Sequence, residues 1–372
     1  NVEIIVNQKD RNDNSYSSKP ASRVFANLAE NLALNSILLE REENYQQPAI
    51  LYICGGNSES NPSFQQLVNW RHERGYIVYT ADTNETGTSS FTIKNYIQNA
   101  YETFSPPPEY VCLVGDVGGS YSLPTFYASW GHDYYGDWCE GDLSYSQLDG
   151  PDLLPEVIVG RLSVRSSNDI QNVVNKIINY EKATYFDYMA DYYERSALIG
   201  DPSDSGQSTI ITNEYVEDVM SSHGMSDIRT NFGVGNYANW MQNQLSDGVL
   251  YFNYRGFAGV SGFTSANIYN ANSGHKLPFA TVLTCLTGSF AEETTCLSEY
   301  FLRAGSGSNP KGAVAAVSTA TGNTHTMFNN IVDMGIYVGI FANQVGSAGA
   351  ALAIGKLALL NAYPDNPDNW IN

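Results

Sequence analysis

Apolar residues in this chain come in short unbroken runs separated by amphipathic stretches. "AILYIC" (Ala49–Cys54) is one such run, and a Gly-Gly turn follows it. A run this short and continuous predicts a strand buried on both faces. "PSFQQLVNWRHERG" reads as an amphipathic helix stopped by Gly75, "YIVYTAD" as a second strand, "TIKNYIQNAYETF" as a second helix and "YVCLVGD" as a third strand ending at Asp116. This β-α-β-α-β order predicts a parallel sheet with helices on its faces. Residues 117–156 are irregular and rich in Gly, Tyr and Asp, after which "VIVGRLSV" returns as a short strand. "SSNDIQNVVNKIINYEK" is the clearest helix. Ile170, Val173, Val174, Ile177 and Ile178 share one stripe, with Asp169 in the first turn and Lys182 near the end.

A tyrosine-rich polar stretch at 184–193 breaks the pattern. It divides the chain into a lead-in at 1–47, a first subdomain at 48–188 and a second at 189–372. Alternation then restarts: "SALIGD" is a strand, "TNEYVEDVMSSHG" a helix, "WMQNQLSDG" another helix and "VLYFNYRG" a strand. "LPFATVLTC" and "GAVAAVST" are further strands, with helices expected over "HTMFNNIVDMGIYVGIFANQ" and "AGAALAIGKLALLNAY". The expected class is α/β with mostly parallel sheets, and no repeat of solenoid length is present.

Charge changes the picture of partners. The 372 residues carry a formal net charge of -20, with Lys and Arg scarce. Nucleic acid and anionic membranes need a basic footprint, so neither is an expected partner. The acidity fits either plain solubility outside a cell or acidic loops that hold calcium. The sequence begins without Met, shows no signal peptide and has no apolar run of membrane-spanning length. It reads as cytosolic or as a piece of a secreted precursor. The five cysteines are odd in number and have no metal-ligand spacing. Cys54 and Cys112 fall inside apolar strands, where cysteine serves as a small hydrophobe.

In parallel α/β sheets, sites gather at the carboxyl ends of strands. Three such ends in the second half carry reactive residue types: Asp201 and Asp204 after "ALIG", the "YRGFAG" loop, and Cys285 in "TCLTGSF". A cysteine at a strand end before a glycine-containing turn suits a nucleophile, because exposed backbone N–H groups there favour the thiolate. An inert buried cysteine fits the same spacing.

Several segments, in order, match one family. "EYVCLVGD", "LPEVIVGRLSVRSSNDIQNVVNKIINYEK", "VLYFNYRGFAG", "LPFATVLTCLTGSF" and "NPKGAVAAVSTAT" resemble successive motifs of the gingipain family of caspase-like cysteine peptidases. The resemblance runs from about Ala49 onward. It implies a caspase-like α/β/α sandwich of two adjacent subdomains, endopeptidase ancestry on protein or peptide substrates, and export from a bacterial cell to its surface or beyond by type IX secretion. It carries Cys285 over as nucleophile, with the N–H groups of Cys285 and Ala258 as oxyanion donors, and aligns Asp204 with the acid that orients the catalytic histidine. The family domain continues past the equivalent of "YPDNPDNWIN", so further domains are expected beyond this chain.

The departures are as informative. The family's histidine position holds Phe257, which can neither take nor give a proton, so the chain has either lost its base or replaced it. His72 and His223 read as surface or capping residues, His132 lies in the acidic loop, and His275 precedes the nucleophile strand. His325 follows the strand next to that of Cys285, at the correct edge. It is either the displaced base or simply the opener of the next helix. Phe257 then reads as a wall of the cleft. Arg255, also new, either stabilises a Cys285 thiolate or pairs with Asp201 or Asp204. Thr209 stands where arginine-specific relatives carry a pocket acid, so basic specificity is not expected. If no base survives, the scaffold is a pseudopeptidase used for binding or assembly. Finally, Asp133, Asp137, Asp142 and Asp149 sit in one irregular segment and are the expected ligands of a structural calcium.

Overall fold

Ala49–Cys54 forms β1, with all six residues buried. In this computed structural model the described residues are 21–32, 45–129, 138–291, 294–320, 322 and 324–364. β2 (Ile77–Asp82) pairs in parallel on one side of β1 and β3 (Tyr110–Val114) on the other, and β4 (Ile158–Leu162) extends the sheet beyond β3. Successive strand residues point to opposite faces. Tyr52 and Cys54 meet Phe64, Leu67, Ile170, Val173 and Val174 on one face. Leu51 and Ile53 meet Ile93, Ile97 and Ala100 on the other.

Those partners come from helices. In chain order these are α1 (Arg23–Leu32), α2 (Pro62–Glu73), α3 (Ser90–Thr103) and α4 (Ser167–Glu181). α2 starts where it does because the Asn61 side chain accepts from the Ser63 and Phe64 N–H groups, and Pro62 takes a position that needs no donor. α1 lies inside the segment read as a lead-in. Its Leu28 is buried against Ile158, Ala353 and Ile354, a tertiary reason that polar flanking sequence conceals.

The second sheet contains β5 (Arg195–Gly200), β6 (Asp227–Phe232), β7 (Tyr251–Arg255), β8 (Phe279–Val282) and β9 (Ala315–Ser318). Its order is β9-β8-β7-β5-β6, and every pair is parallel. β6, an edge strand with charged positions, was not anticipated; its Asp227 is paired to Arg195 and Arg229 rather than to a core. The chain leaves β5 toward β6 and returns on the other side as β7. This reversal of direction puts a topological switch point at the carboxyl ends of β5 and β7, where sites gather in such sheets.

α5 (Ser208–Ser222), α6 (Tyr237–Asp247), α7 (Leu297–Arg303), α8 (Thr326–Phe341) and α9 (Ala348–Ala362) cover this sheet. Phe252 and Tyr254 of β7 face Met241 and Leu245 of α6 and Phe301 of α7. Asn253 and Arg255 face the other way, toward α8. α7, unforeseen in the sequence, joins the two sheets. Its Arg303 donates to Asp116 at 2.9 Å and to the Ser163 carbonyl at 2.6 Å. From the other side Lys176 of α4 donates to the Leu302 and Lys311 carbonyls, each at 2.7 Å.

Candidate active site

β8 ends at Val282, and Cys285 follows three residues later, beyond the carboxyl end of the sheet. Ala258 and Cys285 form a single parallel bridge that carries the β7–β8 pairing past both strand ends. Gly259 N–H donates to the Cys285 carbonyl at 3.0 Å, and Cys285 N–H to the Phe257 carbonyl at a long 3.4 Å. The following turn is pinned from both sides. Thr284 donates to the Gly259 carbonyl at 2.7 Å, and Gly288 N–H to the Thr319 carbonyl beyond β9 at 2.9 Å. A Cβ at Gly288 would lie 3.0 Å from the Ser318 carbonyl carbon, so any side chain there would press tightly on the neighbouring backbone. Leu286 takes φ 68°. A non-glycine residue there costs of order 1 kcal/mol or more and marks a position over-determined by its surroundings.

The Cys285 side chain is only 7% exposed. Its thiol donates to the Thr324 carbonyl at 3.7 Å. Burial pushes the thiol above its ordinary range, against an opposing pull from its backbone hydrogen bonds and the positive charge of Arg255. At neutral pH the group rests as a thiol.

Asp201, just past β5, is the buried carboxylate of the site. Its oxygens accept from Tyr254 O–H at 2.9 Å, from Ser203 N–H at 3.0 Å and from the Ser261 hydroxyl. Burial raises its pKa, but these hydrogen bonds outweigh burial and hold it below the ordinary range. Asp201 thereby ties both ends of the loop that carries Phe257 and Ala258. Gly256 is required within it, because a Cβ would lie 2.6 Å from the Tyr254 hydroxyl. Asp204, by contrast, is exposed at φ 60°. Among the described residues no hydrogen bond joins it to His325 or Cys285.

Two residues expected at the substrate surface are not there. Thr209 is fully buried in the first turn of α5, and its hydroxyl donates to the Asp201 carbonyl at 2.9 Å. It presents no surface to a substrate. Arg255 is 0% exposed and pairs with neither Asp201 nor Asp204. Alternation along β7 turns it toward α8, where Nε and Nη2 donate to Asn330 at 2.9 and 2.7 Å and Nη2 donates to the Thr326 carbonyl at 3.2 Å. Phe257, 53% exposed, and Leu286, 57% exposed, are instead the large apolar side chains at the surface next to Cys285 along the backbone.

His325 is the residue after the carbonyl that the thiol contacts. It caps α8, with Nδ1 accepting from Met327 N–H at 3.2 Å, and its ring is exposed. It therefore opens a helix, and the carbonyl of the residue before it is the one that the thiol contacts. Of the other described histidines, His223 caps α5, with a ring nitrogen 2.8 Å from the Val219 carbonyl, and His275 stacks on Tyr185. His72 lies in the last turn of α2.

The expected calcium ligands fare unevenly. Asp133 and Asp137 lie outside the described residues. Asp142 is already spent: Arg161 donates to its two oxygens at 2.7 and 2.8 Å, and Thr125 adds a third bond at 2.9 Å. Asp149 is exposed. Among the described residues no group of three or more His, Cys, Asp or Glu is arranged to hold a metal, and no helix is long and apolar enough to cross a membrane. Arg161 also sits under the Phe290 ring at 5.2 Å, so this Asp142–Arg161 pair buttresses the turn after Cys285.

A second buried group escaped the sequence reading. Asn253 donates to Asp333 at 2.9 Å and to Asn213 at 3.1 Å, all of them buried between β7, α5 and α8. Burial pushes Asp333 up to about 6, with Arg255 and Asn253 opposing. The one signal was the "NYR" triplet, polar residues interrupting an otherwise apolar strand.

The profile of peptidase family C25 matches residues 43–372. Gingipain R2 of Porphyromonas gingivalis is 24% identical over 265 residues, covering 68% of this chain and 34% of that protein. Lys-gingipain HG66 of the same organism is 26% identical over 298 residues, covering 74% and 16%. The chain thus spans about a third or less of these relatives' length. Among solved structures, the Arg-specific cysteine proteinase gingipain R aligns with TM-score 0.74 at 20% identity, over 89% of this chain and 76% of that one. The complex of gingipain pro- and mature domains aligns at 0.72 and 20%, over 87% and 76%. The fold is the caspase-like α/β/α arrangement that the sequence motifs implied. With the profile running through both sheets and through Cys285, the chain belongs to peptidase family C25.

Proposed function

We propose that this chain is the catalytic-type domain of a cysteine endopeptidase in which Cys285 is the nucleophile and His325 the displaced base. One observation carries the reading: the Thr324 carbonyl lies 3.7 Å from the Cys285 sulfur, which makes His325 the next residue along the chain. In the resting ring the free lone pair is at Nδ1 and is spent on Met327 N–H. The ring must leave this cap before it can accept the thiol proton. The sulfur then bonds to the scissile carbonyl carbon, the C–N bond breaks, and the imidazolium returns its proton to the departing amine. Ala258 N–H and Cys285 N–H are the oxyanion donors; the long bond from Cys285 to Phe257 is weak enough to open.

The substrate is a protein or peptide, and the chain acts outside a bacterial cell, as the type IX export implied by its family suggests. The arginine preference named for the structural neighbour is not transferred, since Thr209 is buried, Asp201 is fully engaged and the exposed side chains of Phe257 and Leu286 are apolar.

A second reading, a pseudopeptidase that binds without cutting, is favoured by the shielded, protonated thiol and by Phe257 at the family's histidine position. Labelling with a thiol-directed peptide chloromethyl ketone separates the two. The enzyme reading expects Cys285 to be modified much faster than in unfolded chain, and His325→Ala to slow it by at least about tenfold. Labelling no faster than the unfolded control, together with new reactivity in Phe257→His, establishes the pseudopeptidase.

A further inference from the structure

Arg255 is the largest fully buried side chain among the described residues. Its partners are neutral: the Asn330 amide oxygen and the Thr326 carbonyl. Among the described residues Nη1 has no hydrogen-bond partner. No carboxylate of the described residues lies within salt-bridge distance of it. Asp333, the acid of the same buried cluster, bonds Asn253 instead. Burial lowers this guanidinium only to about 10, with the Asp333 carboxylate the largest opposing influence and Cys285 the next, so it stays charged at neutral pH.

The place of this charge is specific. Thr324, His325 and Thr326 form a three-residue bridge. Its first carbonyl accepts from the Cys285 thiol and its last from Arg255. The thiol and the guanidinium thus hold opposite ends of the segment that carries His325. The same strand end is tied to Cys285 from the other direction, through the Ala258 bridge.

We propose that Arg255 is a positioning residue of the site, a fixed buried cation that stabilises the Cys285 thiolate and clamps the His325 segment against it. The inference rests on Cys285 as the reacting group. A thiolate, once formed, adds a second anion to the field of this cation, beside the Asp333 carboxylate. The titratable and charged groups on the elements packed around the sulfur are Arg255 and Tyr254 on β7, His325 and Asp333 on α8, and Asp201 and Asp204 after β5. Of these, Asp201 is saturated by hydroxyl and backbone donors, and Asp333 is bound to Asn253.

The test is the pH dependence of Cys285 alkylation by iodoacetamide, which reads the thiolate without requiring turnover. Arg255→Met is expected to raise the midpoint by about one unit, a roughly tenfold slower reaction at pH 7. Arg255→Lys, which keeps the charge, should stay within about threefold of wild type. Because Arg255→Met removes buried hydrogen bonds and can unfold the chain, Asn330→Asp provides the independent arm. It keeps the shape, gives Arg255 a carboxylate partner and should slow alkylation about fivefold at pH 7 by neutralising the charge from behind. Folded Asn330→Asp with the wild-type midpoint overturns the proposal, as does folded Arg255→Met with that midpoint. Shifted midpoints in a protein that cuts no peptide would instead sink the peptidase reading and leave the thiolate–arginine pairing standing.

Discussion

β7 carries a buried ionisable group beside each of its faces, and the two are finished differently. On the α6 face, Tyr254 leads to Asp201, whose two oxygens take three donors. On the α8 face, Arg255, Asn253 and Asp333 each keep one fully buried polar atom without a hydrogen-bond partner among the described residues. The first arrangement is closed and holds a loop in place. The second sets the Arg255 charge against the Asp333 carboxylate without a direct ion pair, and Cys285 lies within the same field. The closed network serves stability, whereas the open one leaves a buried carboxyl whose pKa burial pushes upward.

Breaking the closed side should hurt the fold most. Asp201→Ala leaves the Tyr254 hydroxyl, the Ser203 N–H and the Ser261 hydroxyl without their acceptor, at a cost of about 3 kcal/mol. Urea denaturation measures it; a loss under about 1 kcal/mol would mean the network is not closed as described.

The open side should give a smaller effect, of opposite sign in pH. Asp333 is pushed up to about 6 by burial, so the folded state keeps a proton that the unfolded chain releases near pH 4. Its stabilisation is present in full below about pH 4 and is lost as the pH rises through 6. Asp201 is held below its ordinary range, so its contribution is present above that range and lost as the pH falls. Asp333→Asn should therefore remove about 1–3 kcal/mol of the decline in stability between pH 4 and pH 7. Parallel wild-type and variant curves across that interval would contradict the assignment.

The sequence made the framework readable because its signals are local. A six-residue apolar run such as "AILYIC" and the stripe from Ile170 to Ile178 state their burial directly. β6 was hidden because an edge strand balances its charges against neighbours rather than a core. α7 was hidden because Glu299 and Arg303, charged in sequence, are buried at the joint between the sheets. At the site, strand ends and the family motifs placed Cys285 and the Phe257 loop, which are in direct backbone contact. Thr209 and Arg255 failed as surface residues for a reason no motif states: the side chain's face is set by strand and helix phase. Asp201 and Asp204 are three residues apart, and only the structure tells the buried acid from the exposed one.

Hydrolysis of a mixed peptide library, read by mass spectrometry, tests the central claim most directly. Wild-type protein should cleave, Cys285→Ala should not, and His325→Ala should fall by about a thousandfold or more while keeping its fold. Wild-type cleavage that survives in folded His325→Ala would show that another group takes the thiol proton and that His325 is only the cap of its helix.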